Sequence, residues 1–588
     1  MLKALYDYAV SHELSLPDGY AKKTVAAYIW FSSTSPDFLE IRLGNDTAVP
    51  CPDIGSLANG KEKSNIIVEK RSVVIPEGEN AKSSFFLHAL EEFGALEPDA
   101  ALCARRLADE AVLARIREKL DEQKIKPANR ISFQVDERKL HNSPQLLDWW
   151  RQWRQTVMPP RQGDAMPCLI TGELAVPVTT AAPISGLQVV GGHARGDGLI
   201  CFDKPAFCSY GLKQAANAPV SESAMGAVKA GLDALLVDAP ILSGMKFVHW
   251  YDRDVEPEAD PLFDDNFFGF TNDSQEPEAD DQTERQARRA ADRLIGSVQT
   301  GESAVPLDTG YHILLLTGVG GRVMVRRYER GRYEALQQNL DRWNRDLALV
   351  NPYGTGPCKP LKLAGRLIRL LKYQKNDKKI FDRMSKELSG VTPAVLTAIL
   401  SGGRLPDAVA VRALNYLRSR LLAADEGQGT ADDNLDGWAC QWLKVWLIRN
   451  QEGSDVDLME TYNPNHPEPA YHCGGAMAVY GAIQDLAMNV NTTVVQRYYA
   501  ACIQTPALVL GRLSQLSVHH LEKINHHGIR EYYKKLLEAT NSAIGGEIPT
   551  ALDLQKQSYF ALGYYQMLAR IRHERMEAAQ NKKTQEEA

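Results

Sequence analysis

Between Leu199 and Ser221 the chain reads LICFDKPAFCSYGLKQAANAPVS. Lys204, Lys213, Gln214 and Asn217 stand there among small residues. A lysine ammonium suits phosphate oxygens. A carboxamide presents donors and an acceptor that match an adenine edge or the minor-groove acceptors of an A·T pair. Lys70, Arg71 and Lys82 are candidates for flanking phosphates, and so are Lys61 and Lys63 in the preceding loop. Tyr6, Tyr8 and Tyr210 offer faces on which a base can stack, with ordinary packing as the alternative use of each.

The local pattern indicates what positions these groups. Leu199–Phe202 reads as a short apolar strand, Asp203 as the cap of a brief helical turn, and Gly211 as its end. Ser221 then caps a helix near 222–236. Further on, HILLL and RVMVRRY flank TGVGG, a β-hairpin whose glycines supply positive φ. Its Arg322 and Arg326 share one strand face by two-residue alternation, facing either phosphate or solvent. Lys362, Arg366 and Arg369 recur at three- and four-residue spacing along LKLAGRLIRLLKYQ, as either a phosphate track or a solvated helix face.

At 588 residues, with 44% hydrophobic and 24% charged content, the chain predicts several folded domains. No apolar run is long enough to cross a bilayer, and the N-terminal MLKALYDYAVSHEL reads as an amphipathic helix over 2–14. The nine cysteines lack a CxxC spacing, which fits a reduced, cytoplasmic setting with most thiols buried as apolar groups. The net charge of −7 conceals segregation: the stretch from Arg322 to Lys386 is strongly basic, and 252–284 is acidic and Pro-rich.

The fold class expected is α+β, with a mixed α/β N-terminal region followed by an all-α C-terminal bundle. The regions are 1–185, 186–332 with the loop 199–221 and the acidic loop 252–284, a basic helical part over 333–425, and a bundle over 426–588. Within them, 101–120 reads as one helix, 144–155 as a helix with an aromatic face, and 66–76 as a strand. The end from Glu577 reads as a frayed charged tail.

Several chemistries drop out. Gly55 to Lys61 has P-loop spacing, but Glu62 stands where a magnesium-binding hydroxyl is needed and no apolar helix follows. GVGG at 318–321 leads into a strand, which excludes a dinucleotide turn. His519, His520, His526 and His527 have only Glu522 beside them, so helix-surface or core histidines are the better reading than a metal site. Arg195-Gly196-Asp197 is a chance adhesion-like triplet, and Asp252 and Asp254 read as solvated charges. No catalytic group, metal or cofactor is expected.

The order of these motifs resembles the large subunit of the type I-C CRISPR Cascade. The resemblance rests on FDK, SYG and Q-x-x-N-A-P-V-S in the signature segment, the N-terminal MLKALYDYA, the Lys70–Arg71–Ser72 step and the hairpin from His312 to Tyr328. It continues through PAYHCGGAMAVYGAIQ, NTTVVQRYYAACIQTPALVLGRL and FALGYYQ. It implies a non-catalytic subunit that recognises a protospacer-adjacent motif in duplex DNA, promotes unwinding, stabilises the R-loop and helps recruit the helicase-nuclease. Implied partners are crRNA, the target duplex and its displaced strand, the backbone and crRNA-processing subunits, and small subunits. It also implies a separate small-subunit polypeptide from internal translation, with Met477 as the candidate start. The competing readings are a helical scaffold that binds only protein and a metal-dependent nuclease with an unrecognised site.

Overall fold

A computed structural model describes residues 1–45, 48–158, 165–178, 180–202, 204–262, 308–374, 376–423, 436–450, 458–488 and 494–587. The fold is α+β, in line with the sequence. It divides into two compact units: Met1–Ile184 with Gly198–Ala234, and Ser185–Asp197 with Leu235–Ala588. The signature segment thus belongs to the N-terminal unit, and not to a middle region over 186–332. Within the second unit one apolar core draws on described residues from Leu242 to Ile571.

The first unit contains β1 (Tyr20–Thr24), β2 (Ala27–Phe31), β3 (Leu39–Leu43), β4 (Ala48–Pro52), β5 (Glu69–Lys70), β6 (Arg130–Val135), β7 (Arg138–Lys139), β8 (Met166–Pro167) and β9 (Leu174–Ala175). Its main sheet runs β3-β2-β6-β5, with β2 and β6 parallel and β7 paired to β6. That parallel pair requires a crossover, and the chain between them supplies helices Ala81–Gly94, Pro98–Leu107 and Glu110–Glu122. The expected single helix over 101–120 is broken because Asp109 accepts the N–H groups of Ala111 and Val112 at 2.9 and 3.4 Å. This side chain offers the backbone a new N-cap where the periodicity alone continues.

The expected strand over 66–76 is mostly absent. Ile67 takes φ +65°, and Arg71 N–H turns to the Asn129 carbonyl at 2.7 Å. Only Glu69–Lys70 stays in the ladder, and Arg71–Val74 is helical. The aromatic helix is present as Leu146–Val157, with Trp149, Trp150 and Trp153 buried. The N-terminal helix ends at Ser11.

In the second unit β10 (Ile241–Leu242), β11 (Met245–Tyr251), β12 (Gly310–Val319) and β13 (Arg322–Arg332) form an antiparallel meander in that order. Phe247, Ile313 and Leu315 share their core with Leu336, Leu340 and Trp343 of helix Tyr333–Asp346. The acidic segment leaves β11 under two imidazole–carboxylate contacts, His312 Nε2 to Asp252 Oδ1 and His249 Nε2 to Asp260 Oδ2, each at 2.7 Å. Asp252 is therefore partnered as well as solvated. Residues 263–284 of that segment lie outside the described residues.

From Tyr333 onward the described residues are mostly helical. Helix Pro469–Ala487 is buried along most of its length and packs against helix Leu554–Glu587. Two glycines allow that approach: a Cβ on Gly474 would sit 1.9 Å from the Phe560 carbonyl oxygen, and one on Gly563 would sit 2.0 Å from that of Tyr471. The last helix continues to Glu587, so the expected frayed tail from Glu577 is helical. Among the described residues no helix is long and apolar enough to cross a membrane.

Candidate nucleic-acid interface

The signature segment is stitched to 168–178 at its C-terminal end. Leu169 N–H bonds the Pro219 carbonyl at 2.9 Å and Val178 N–H bonds that of Val220 at 3.0 Å. Ser221 Oγ accepts the Ala224 N–H at 3.3 Å and caps helix Glu222–Val237, as its sequence position indicates. Cys168 Sγ accepts the Ser221 N–H at 3.4 Å. Burial pushes that thiol up, yet hydrogen bonds from the Ser221 N–H, the Thr171 hydroxyl and the backbone N–H groups of Thr171 and Ile170 outweigh it and bring it down to about 7.

Upstream, Leu199–Phe202 is not a strand, and Asp203 lies outside the described residues. A 3₁₀ turn at Pro205–Phe207 leads into a tight turn at Ser209–Leu212, closed by Leu212 N–H to the Ser209 carbonyl at 2.9 Å. Its central residues Tyr210 and Gly211 both have positive φ, +53° and +74°. Tyr210 is fully exposed at 101%. Lys204, Lys213 and Gln214 are also exposed.

Asn217 behaves differently. Its Oδ1 accepts Ser209 N–H at 2.7 Å, and its Nδ2 donates to the Leu212 and Gln214 carbonyls at 3.2 and 2.9 Å. Both amide donors are consumed within the loop, so Asn217 holds the loop's shape and has no free donor for a base.

The phosphate candidates separate. Lys61 and Lys70 are exposed. Lys63 donates to the Val157 carbonyl at 2.9 Å and Lys82 to that of Ala58 at 2.7 Å, each fastening a loop. Arg71 is buried, with its guanidinium 2.6 Å from Asp121 Oδ1 and also bonded to the Ile125 carbonyl. It serves the fold and offers nothing to a phosphate. The P-loop-like stretch is a 3₁₀ helix, Gly55–Asn59. Tyr6 and Tyr8 are half-buried, Tyr6 under the Lys3 ammonium at 5.0 Å and Tyr8 against His12 at 4.1 Å.

On β13 the register shifts between Leu315 and Leu316, whose partners are Arg327 and Val325. Arg326 is the extra residue of this bulge and donates to Thr317 Oγ1 at 3.0 Å. The simple alternation that aligned it with Arg322 is therefore interrupted. The strand also continues past Tyr328, and exposed Arg330 and Arg332 lie on this sheet edge. The signal for them was present in RRYERGR, where the strand pattern outlasts the apolar residues.

The expected basic track over 362–372 does not form. The helix spans only Leu363–Ile368. Arg366 is buried against Gln441 Oε1 at 2.6 Å, and burial lowers its guanidinium to about 10. Arg369 pairs with Asp436 Oδ2 at 3.3 Å and lies over the Trp438 ring at 4.6 Å. Lys362 is half-buried at the helix start.

Residues 79–571 match the family of CRISPR-associated protein (Cas_Csd1). The chain belongs to this family, the large subunit of the type I-C Cascade. No curated protein matches it.

Within this Cascade large subunit, Met477 lies in the middle of helix Pro469–Ala487 at 0% exposure. A chain starting there would lack that helix's first two turns, including Gly474, so the structure gives Met477 no natural boundary. Of the histidine cluster, His520 is buried, and His526 caps a helix by accepting the Ile529 N–H at 3.4 Å. Among the described residues no group of three His, Cys, Asp or Glu is placed to hold a metal. Asp197 of the adhesion-like triplet is buried and accepts the His193 N–H at 3.0 Å. Cys201 is exposed and Cys208 half-buried, where the sequence reading buries both thiols.

Proposed function

We propose that this chain is the non-catalytic subunit that reads the protospacer-adjacent motif in duplex DNA through the loop 204–217. The observation that carries the reading is the joint exposure of Lys204, Tyr210, Lys213 and Gln214 on one loop of a CRISPR-associated chain. Gln214 is the group for a base edge, and Lys204 and Lys213 meet flanking phosphates. Lys61 and Lys70 extend the phosphate contacts of this unit, and Arg322, Arg330 and Arg332 do so on the other. The chain works with crRNA and the other Cascade subunits, opens the target, helps hold the R-loop and receives the helicase-nuclease, in a cytoplasmic setting.

A gel-shift titration of the reconstituted guide-RNA complex, with and without this chain, tests the reading. Motif-matched duplex binds tightly only when the chain is present, and scrambled-motif duplex binds weakly in both cases. Equal binding without the chain contradicts it.

A second reading, protein scaffolding by the helical region, is favoured by one observation. Arg366 and Arg369 turn inward to Gln441 and Asp436, which withdraws two cations from the face that spacing offered to phosphate, while Lys372, Lys378 and Lys379 stay exposed.

A further inference from the structure

The loop tip holds a residue in a backbone conformation that its side chain does not favour. With φ of +53° and +74° at the two central positions, Ser209–Leu212 has the signature of a type I′ turn. Such turns favour Gly, Asn or Asp at the first central position. This one carries Tyr210, whose ring is fully exposed and gains nothing there from packing. An uncommon backbone conformation persists when its surroundings over-determine it, and such positions cluster at functional sites.

Asn217 is what determines it. Its carboxamide takes the N–H of Ser209, the first residue of the turn, and gives its own N–H groups to the carbonyls of Leu212, the last residue, and Gln214. One side chain therefore ties the two ends of the turn together. The chemistry demands an amide: a carboxylate at this position would accept from Ser209 but face two carbonyls without a donor.

Building on the motif-reading role above, we propose that Asn217 is a positioning residue and that Tyr210 is the platform it holds outward, on which one nucleobase stacks after leaving the duplex next to the recognised motif. The ligand class is a planar, unpaired base of a polyanion. The ring supplies a stacking face that accepts any base. Exposed Lys204 and Lys213 stand on either side of Tyr210 in the loop and supply charge for the adjoining phosphates. This gives the loop two tasks in separate residues: Gln214 for the motif, and Tyr210 for the first opened base.

The test uses the assembled complex and a motif-matched duplex with 2-aminopurine at the first target position beside the motif. Unstacking of that base is followed by fluorescence in stopped flow. Four chains are compared: the parent, Tyr210→Ala, Tyr210→Phe and Asn217→Asp. Assembly with the guide-RNA complex and the melting curve serve as the folding check. The expected result is opening slowed about tenfold in Tyr210→Ala and Asn217→Asp, as loss of one stacked base implies. Tyr210→Phe keeps the parent rate within about twofold, because the face and not the hydroxyl is used. Parent-like opening in Tyr210→Ala overturns the platform. Parent-like opening in Asn217→Asp overturns the positioning role. A Phe variant as slow as the Ala variant also overturns it, since the hydroxyl would then be the active group. If the parent opens matched and scrambled duplexes alike, the motif-reading role itself fails, and the proposal falls with it before any substitution is compared.

Discussion

Arg369 Nε lies 3.3 Å from Asp436 Oδ2, a carboxylate that is 2% exposed and also serves Arg420 and the Tyr416 hydroxyl. A cation that looks available by spacing is thus part of a buried network. A charge of this kind is costly to leave without its partner. Arg369→Gln is expected to destabilise the chain by about 1–3 kcal/mol. Arg366→Gln, which disturbs the buried contact to Gln441, follows the same direction. Chemical denaturation of the purified chain measures this, and the salt slope of DNA binding stays unchanged. A reduced slope with unaltered stability would restore the phosphate-track reading.

The Gly474–Phe560 approach sets the spacing of two long helices. Gly474→Ala forces a methyl group against a backbone carbonyl that flexible side chains cannot relieve. Overpacking of this kind typically costs about 1–3 kcal/mol. A lowered melting temperature, with helicity retained below the transition, is the expected calorimetric and circular-dichroism result.

The same contact bears on where a shorter C-terminal polypeptide begins. Gln566 Nε2 donates to the Met459 carbonyl at 2.8 Å, and Tyr471 OH donates to Gln566 Oε1 at 2.6 Å. A product starting at Met459 keeps these contacts and Gly474. A product starting at Met477 loses them. Expressed separately, the Met459 product is expected to melt cooperatively and the Met477 product to lack a transition. Mass spectrometry of co-purified complex that shows a small polypeptide starting at Met477 would contradict this expectation.

Acid acts on the same neighbourhood. Burial pushes His466 down to about 4, aided by the nearby His472, and burial lowers His472 as well. His472 spends both ring nitrogens, on the Tyr462 hydroxyl and the His466 carbonyl, each at 2.7 Å. Folded-state values below the unfolded one mean that both imidazoles are held neutral. Their contribution is full above about pH 6.5, and that of His466 is lost as pH falls toward 4, by at most about 1.4 kcal/mol per pH unit. The melting temperature is expected to drop steeply between pH 6.5 and 4.5, and His466→Gln should flatten that slope. A pH-independent melting curve over this range would rule the effect out.

Elements with local causes are legible in the sequence. The Ser221-capped helix, the Gly320–Gly321 hairpin turn and the helical run after Tyr333 follow from capping, positive-φ glycines and apolar periodicity. Features with distant causes are not. Spacing shows that Arg366 and Arg369 fall on similar helix positions, but whether that side meets water depends on Gln441 and Asp436, far along the chain. Arg71 is likewise claimed by Asp121 and Ile125. Asn217 was recognisable as a residue suited to hydrogen bonding. Its partners proved to be three backbone groups of its own loop, because Tyr210 and Gly211 turn the chain back on itself.

The exposed loop around Gln214 is proposed to carry motif recognition. This role is tested most directly by the affinity ratio of matched to scrambled duplex for complexes carrying the parent chain, Gln214→Ala or Lys213→Ala. Loss of a base-edge contact is worth about 1–3 kcal/mol of discrimination, so Gln214→Ala should collapse the ratio by about tenfold or more. Lys213→Ala should weaken both duplexes alike and leave the ratio intact. An unchanged ratio in Gln214→Ala, with parent-like affinity in Lys213→Ala, would contradict the account and place motif reading elsewhere in the complex.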